Sequence, residues 1–336
     1  MKVFVQIPCL NEEETLPVVL SSIPSRIPGV DEIEILIIDD GSTDRTVEVA
    51  RALGVTHIVR HSRNMGLARS FRDGVDYALM HGADIVVNTD GDNQYPQDRI
   101  PDLVAPIIAG EADIVIGDRQ THTIEHFSRA KKKLQRLGSW VVNQAAGTRL
   151  PDAASGFRAY SKASLLRLNI VTRFSYCMET IIQAGNKRLA IASVEIDTNP
   201  KTRESRLFTS TGQHVTKSAQ AILRSYLMYR PFVFFAWIAA VMLAGALIPF
   251  LRYLLLITMF SEDAGQHIQS LLLGVALLVG SLLAFALGVL ADLLRTNRVL
   301  LEETLEHTKI LRYGVPNQPL VDSTRWGFDS QAKRLE

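Results

Sequence analysis

The sequence predicts an α/β head with a mostly parallel sheet, followed by a two-helix membrane hairpin. Three observations carry this. Short apolar strands alternate with helical stretches through about the first 120 residues. Acidic and Asn-containing turns fall where those strands end. Two uncharged runs, Phe232 to Leu251 and Leu271 to Ala291, are each long enough to cross a hydrocarbon core of about 30 Å as a helix.

Taken in order, Val3 to Pro8 reads as a first strand and Asn11-Glu12-Glu13-Glu14 as the opening turn of a helix. Ile33 to Ile38 is a second strand that ends in Asp39-Asp40, and Val55 to Val59 a third. Leu67 to His81 has helical spacing with Gly74 as a weak point. Ile85 to Asn88 is a fourth strand running into Asp90, and Asp113 to Ile116 a fifth. In such sheets ligands sit beyond the carboxyl ends of the strands, where Asn11, Asp39, Asp40, Asp90 and Asp92 all fall. After residue 120 the pattern loosens, with a basic cluster Arg129 to Lys133, the loop Pro151 to Arg158 and a polar segment Asn199 to Arg206.

The 336 residues carry 36 Lys and Arg against 35 Asp and Glu, a net charge of +1, which gives no global electrostatic reason to expect nucleic acid. Cys9 and Cys177 are the only cysteines, so neither a disulfide framework nor a thiolate metal site is expected. The N-terminus goes directly into a strand without an apolar leader, and no signal peptide is expected.

The acidic clusters each admit two readings. Asp39-Asp40-Gly41-Ser42-Thr43-Asp44 serves equally as a strand end with a helix cap. Asp90 and Asp92, one residue apart, suit a single hard cation that keeps water and phosphate oxygens as its other ligands, although a solvated turn has the same composition. Arg119 adds fixed positive charge, or forms a surface ion pair.

Together Pro8-X-X-Asn11-Glu12, Asp39 to Asp44, Arg63-Asn64-X-Gly66, Asp90-Gly91-Asp92-Asn93-Gln94, Gly117-Asp118-Arg119 and Asp152 to Arg158 resemble family 2 glycosyltransferases of the GT-A fold. More narrowly the chain resembles the polyprenyl-phosphate hexosyltransferases, the group that contains dolichol-phosphate mannose synthase and undecaprenyl-phosphate glucosyltransferases. The resemblance covers residues 1 to about 210 by motif. It implies a nucleotide-diphospho-sugar transferase domain of Rossmann-like architecture, with Pro8, Asn11, Glu12, Asp39 and Asp40 lining the nucleotide pocket. Asp90 and Asp92 would hold Mg²⁺ or Mn²⁺, with Gln94 supporting the metal and phosphates. Asp152 takes the place of the acceptor-facing carboxylate, against the plainer reading of an Asp turn before Gly156. Arg203 and Arg206 fall in the family's basic segment over the site, so Arg119, Arg129, Arg203 and Arg206 are the candidates for an acceptor phosphate.

The expected organisation is a catalytic domain over 1–210, an interfacial helix within 211–230, two spans at about 232–252 and 271–291, and a helix and tail from 293 to 336. Val215 to Tyr229 has apolar residues at helical spacing with Lys217, Arg224 and Arg230 beside them, which fits a helix at the headgroups or one packed on the head. Arg224, Arg230, Arg295 and Arg298 flank the spans on one side, whereas the loop Ser261 to Ser270 has Glu262 and Asp263 and no Lys or Arg. Both termini are therefore expected in the cytoplasm. Beyond the second span an amphipathic helix through Leu300, Leu301 and Leu305 offers a face to the head or to a second copy in a homo-oligomer, and the tail from Gly314 is expected to be disordered.

The function this implies is metal-dependent, inverting transfer of a hexose from a GDP- or UDP-sugar to a polyprenyl phosphate at the cytoplasmic membrane face. A processive polysaccharide synthase is the nearest alternative; the chain lacks a Gln-X-X-Arg-Trp segment, and two spans are few for a polymer channel. A membrane-anchored scaffold that keeps the fold without turnover is the alternative from another class.

Overall fold

A computed structural model describes residues 1–120, 129–170, 176–199, 227, 230–259 and 268–313. Its centre is a seven-stranded mixed sheet built from β1 (Lys2–Cys9), β2 (Glu32–Asp39), β3 (His57–Arg60), β4 (Ile85–Asn88), β5 (Ile114–Asp118), β6 (Arg158–Ser161) and β7 (Ile191–Glu195). The order is β3-β2-β1-β4-β6-β5-β7. β1 pairs in parallel with β2 on one side and β4 on the other, so the strand order reverses there and leaves a crevice at the carboxyl ends. β6 runs antiparallel between β4 and β5, and β7 returns parallel to β5.

β1 shows why the sheet has two covered faces. Val3, Val5, Ile7 and Cys9 join one buried cluster while Phe4 joins the other, as the two-residue period of a strand requires. α1 (Leu16–Ser22), α2 (Thr46–Ala52) and α4 (Ile100–Ile108) cover the first face. α3 (Leu67–Met80), α5 (Arg129–Ala146), α6 (Lys162–Arg167) and α7 (Tyr176–Asn186) supply residues to the second. Gly74 is no weak point in α3: a Cβ there would stand 2.6 Å from Gln6 Oε1 and 2.8 Å from Ile38, so its absence lets the helix lie close on the sheet.

Two expected boundaries move. Residues Asn11 to Glu14 form a turn and the helix starts only at Leu16, because Asn11 has φ of 58° and the N–H groups of Asn11, Glu12 and Glu13 donate to Ser42, Thr46 and Asp44 rather than entering a helix. Val55 is not in β3; its N–H closes the end of α2 onto Ala50 O at 3.1 Å, and the strand begins at His57.

Two further helices, α8 (Pro231–Met259) and α9 (Ile268–Tyr313), are long and apolar enough to cross a bilayer and are candidate membrane spans. They pack on each other through small residues: Ser281 Oγ donates to Ala239 O at 2.9 Å, and Gly274 and Gly288 lie against Phe250 and Phe235. α9 does not break after Ala291. Its 46 residues, about 69 Å at helical rise, continue to the head. There Glu306 pairs with Arg167 at 3.3 Å and Lys187 at 3.8 Å, Glu302 with Lys187 at 3.8 Å, and Lys309 Nζ donates to Leu168 O at 2.6 Å. Tyr313 is buried in the head's second cluster. The amphipathic end thus uses the head as its partner. The expected interfacial helix, apart from Leu227 and Arg230, the basic residues Arg203 and Arg206 and the tail from Gly314 lie outside the described residues, as does the side chain of Arg129.

Candidate active site

The first wall of the crevice comes from the turns after β1 and β2. Asn11 Oδ1 accepts the Thr43 N–H at 2.8 Å, while Ser42 Oγ accepts the Asn11 N–H at 2.9 Å, so the two turns are locked reciprocally. Asp39 is fully buried: Oδ1 accepts the Ser42 N–H at 3.0 Å, and Oδ2 stands 3.1 Å from Arg60 Nε without an aligned hydrogen bond. The Arg60 guanidinium supplies the opposite charge that a buried carboxylate oxygen needs. Asp40, in contrast, is used by the protein itself. Its oxygens accept from Met65 N at 2.8 Å and Gly66 N at 2.9 Å and meet His61 Nδ1 at 2.7 Å, and His61 Nε2 faces Asp73 at 3.1 Å. The Arg63 to Gly66 segment is therefore hung from Asp40, and Gly66, at φ of 91°, leads into α3.

The second element is the turn after β4. Thr15 Oγ1 donates to Gly91 O at 2.7 Å, and a Cβ on Gly91 would come within 3.2 Å of Cys9 Sγ and Glu12 Cγ and 3.5 Å of Pro8 O. Pro8, Glu12 and the turn that carries Asp90 and Asp92 are thus brought together. Asp92 Oδ1 accepts the Gln94 N–H at 3.1 Å, and Asn93 takes the left-handed conformation at φ of 60°. Asp90, Asp92 and Gln94 present only hard oxygen donors and an amide, a set that suits Mg²⁺ or Mn²⁺.

The acceptor loop reaches the same place. A Cβ on Gly156 would lie 3.4 Å from Asp90 Oδ2 and 3.4 Å from the Tyr176 hydroxyl, an ordinary contact distance, so the loop of residues 152–156 runs directly beside the Asp90 carboxylate with room for a methyl group but not for a branched side chain. Asp152 is buried and held by a two-bond fork, Arg119 Nε to Oδ2 at 2.7 Å and Nη2 to Oδ1 at 3.1 Å. Burial pushes the Asp152 carboxyl up, but the Arg119 guanidinium and the Ala154 N–H outweigh it and hold the group below the usual carboxylate range. Asp152 is therefore ionised at neutral pH and already neutralised by Arg119.

The supporting roles of four residues escape a reading of the sequence, although it places Arg158 in a motif and Asn199 in a polar segment. Arg158 is fully buried in β6 and donates to Ser155 O at 2.7 Å, Ala153 O at 3.0 Å, Cys177 O at 2.8 Å and Thr180 Oγ1 at 3.0 Å, tying the loop to α7. Tyr95 receives the Gly156 N–H at 2.9 Å. Tyr176 donates to Gly156 O at 3.2 Å and accepts from Asn88 Nδ2 at 2.6 Å. Asn199 bonds the Asn93 to Tyr95 backbone. The one available signal was an arginine inside an otherwise short strand, which needs acceptors if it is buried.

Comparison with known proteins agrees with this geometry. Residues 4–168 match the glycosyl transferase family 2 model. The chain belongs to this family. It is 30% identical over 201 residues to an uncharacterized glycosyltransferase of Mycobacterium bovis, covering 60% of this chain and 86% of that protein. It is 29% identical over 217 residues to the UDP-N-acetylglucosamine–dolichyl-phosphate N-acetylglucosaminyltransferase of Methanococcus voltae, covering 58% of this chain and 85% of that one. Glucosyl-3-phosphoglycerate synthase from Mycobacterium tuberculosis, solved with Mg²⁺ and UDP, shares the fold at a TM-score of 0.53 and 23% identity, over 67% of this chain and 78% of that one. The head is a GT-A-like α/β fold, and among the described residues its acidic turns line one edge.

Proposed function

We propose that this glycosyltransferase moves a hexose from a GDP- or UDP-sugar to a polyprenyl phosphate, with inversion, at the cytoplasmic face of a membrane. The observation that carries the reading is the contact at Gly156. It joins the Asp90 turn, which suits a diphosphate, to the Asp152 loop, which suits the acceptor. The dolichyl-phosphate transferase relative and the two candidate spans support a lipid acceptor, and the solved relative bound to UDP supports a nucleotide donor.

In this reading Pro8, Asn11 and Glu12 shape the nucleotide pocket, and Asp39, paired with Arg60, lines it on the side of the base and ribose. Asp40 acts one step back, by fixing the Arg63 to Gly66 wall. Asp90 and Asp92, with Gln94 beside them, would hold Mg²⁺ or Mn²⁺, which when bound supplies positive charge to the departing diphosphate. Among the described residues no three His, Cys, Asp or Glu side chains enclose a metal, so water and phosphate oxygens would complete the shell.

Transfer is one displacement: an acceptor phosphate oxygen forms a bond to the anomeric carbon as the bond from that carbon to the nucleotide diphosphate breaks, which inverts the centre. A phosphate monoester with a second pKa of about 6 needs no base at neutral pH. Asp152, ionised and bound to Arg119, therefore orients the guanidinium rather than taking a proton. Arg119 meets the phosphate with its edge not used by Asp152, and Arg129, Arg203 and Arg206 add positive charge along the acceptor's path.

The test is transfer by the purified protein in detergent with a polyprenyl phosphate, Mg²⁺ or Mn²⁺ and a panel of UDP- and GDP-sugars, followed by mass analysis of the lipid. A lipid-linked hexose from one donor supports the reading and names the sugar. Nucleotide binding without a lipid product from any donor would overturn the acceptor assignment.

A further inference from the structure

The turn that carries Asp92 and Gln94 is held by a residue more than a hundred positions away. Asn199 Nδ2 donates to Asn93 O at 3.0 Å and to Tyr95 O at 3.3 Å, and the Asn199 N–H donates to Gln94 O at 3.0 Å. Three successive carbonyls therefore end on one residue. Two of them, Asn93 O and Tyr95 O, meet the same amino group of the Asn199 side chain, whose two N–H bonds can serve both.

The turn needs such a clamp. Asn93 sits at φ of 60°, a conformation that Asn tolerates better than most residues but that costs free energy and persists where its surroundings hold it. Within the turn Asp92 Oδ1 accepts the Gln94 N–H, so the tilt of the 93–94 peptide sets the direction of the Asp92 carboxylate. Gln97 Nε2 also donates to Tyr95 O at 3.1 Å, which secures the far end but leaves Asn93 O to Asn199. Asn199 comes from the stretch after β7 and so ties the turn after β4 to the end of a strand that lies past β6 and β5 in the sheet.

We infer that Asn199 is a positioning residue for the Asp92–Gln94 turn, setting the affinity of that turn for a divalent cation. The inference rests on the reading of the turn as the cation and diphosphate site. Asn199→Leu keeps the bulk and removes the side-chain donor; Asn199→Ala removes both, and each leaves the backbone N–H to Gln94 O in place.

The experiment is Mn²⁺ binding to the full-length protein in detergent with UDP, read as loss of the free-ion EPR signal. It is paired with UDP binding in the absence of metal and transfer rate against Mn²⁺ concentration. In both variants the Mn²⁺ dissociation constant should rise about tenfold, as expected for two lost hydrogen bonds at a ligand-bearing turn. Metal-free UDP binding should stay within twofold, and the rate at saturating Mn²⁺ within threefold, of the parent. Unchanged Mn²⁺ affinity in Asn199→Ala, or in Asn199→Leu if only that variant folds, would overturn the inference while leaving the site reading intact. Equal loss of metal-free UDP binding and of saturated rate would also overturn it, by showing a general structural role. A parent protein that binds no Mn²⁺ with UDP would remove the site reading, and the inference with it.

Discussion

The two ends of the sheet are held together in different ways. At the carboxyl end three contacts each have a single, largely buried arrangement: the Arg119–Asp152 fork, the Gly156 approach to Asp90, the Asp40 contacts to Met65 and Gly66. At the amino end α9 docks through several interchangeable and partly wet pairs, Glu302 and Glu306 sharing Lys187 while Glu306 also reaches Arg167. Single geometries in low dielectric give orientation and fail sharply, whereas redundant pairs near water give attachment and fail gradually. Chemistry needs the first kind of support and anchoring needs only the second.

The comparison breaks most directly at Asp92. Asp92→Asn should lower transfer by at least a hundredfold in a protein whose melting temperature stays within a few degrees of the parent; near-parental transfer would show that the turn has no part in the chemistry. Next comes Arg158→Met, which removes the donor to the carbonyls of Ala153 and Ser155 and one of two donors to that of Cys177. We expect a loss of roughly 3–5 kcal/mol in thermal or denaturant unfolding, the scale of breaking a buried charged network. Gly156→Val should leave the fold and cut transfer at least tenfold, because branched carbons would enter the space beside Asp90; an active Gly156→Val would mean that the two loops need not touch. At the other end, Glu306→Gln should change stability by less than about 1 kcal/mol and transfer hardly at all. A larger effect there would erase the contrast between the two ends.

The fork also has a pH signature. Since the folded Asp152 carboxyl lies below its unfolded value of about 3.9, its contribution is complete above that value and is lost as pH falls through the lower folded one. The stability difference between parent and Asp152→Asn should therefore stay flat from pH 8 to 5 and shrink only below about pH 4.

Legibility in the sequence followed the range of the forces involved. β4 and the turn after it were readable because the apolar run Ile85-Val86-Val87 and Asp90-Gly91-Asp92 announce themselves locally. The start of α1 was not: Asn-Glu-Glu-Glu has the composition of a helix's first turn, but its N–H groups find Ser42, Thr46 and Asp44, more than thirty residues away. β6 was hidden because Arg-Ala-Tyr-Ser looks like a polar loop until four acceptors from α7 and its own turn surround Arg158. The candidate carboxylates were all visible as a list of residues. The partnership of Arg119 with Asp152, and the service of Asp40 to the protein's own backbone, required the sheet that brings them together.

One consequence of the unbroken α9 concerns mechanics. A helix that begins among exposed leucines and ends with Tyr313 in the core of the head is a mast without a joint. In the proposed membrane setting, a thicker or thinner bilayer would change the tilt of its lower half, and a stiff rod passes that tilt to whatever is fixed at its top. The height and inclination of the carboxyl edge above the lipid would then follow the thickness of the membrane, making bilayer composition a mechanical input to how squarely an acceptor headgroup meets Arg119.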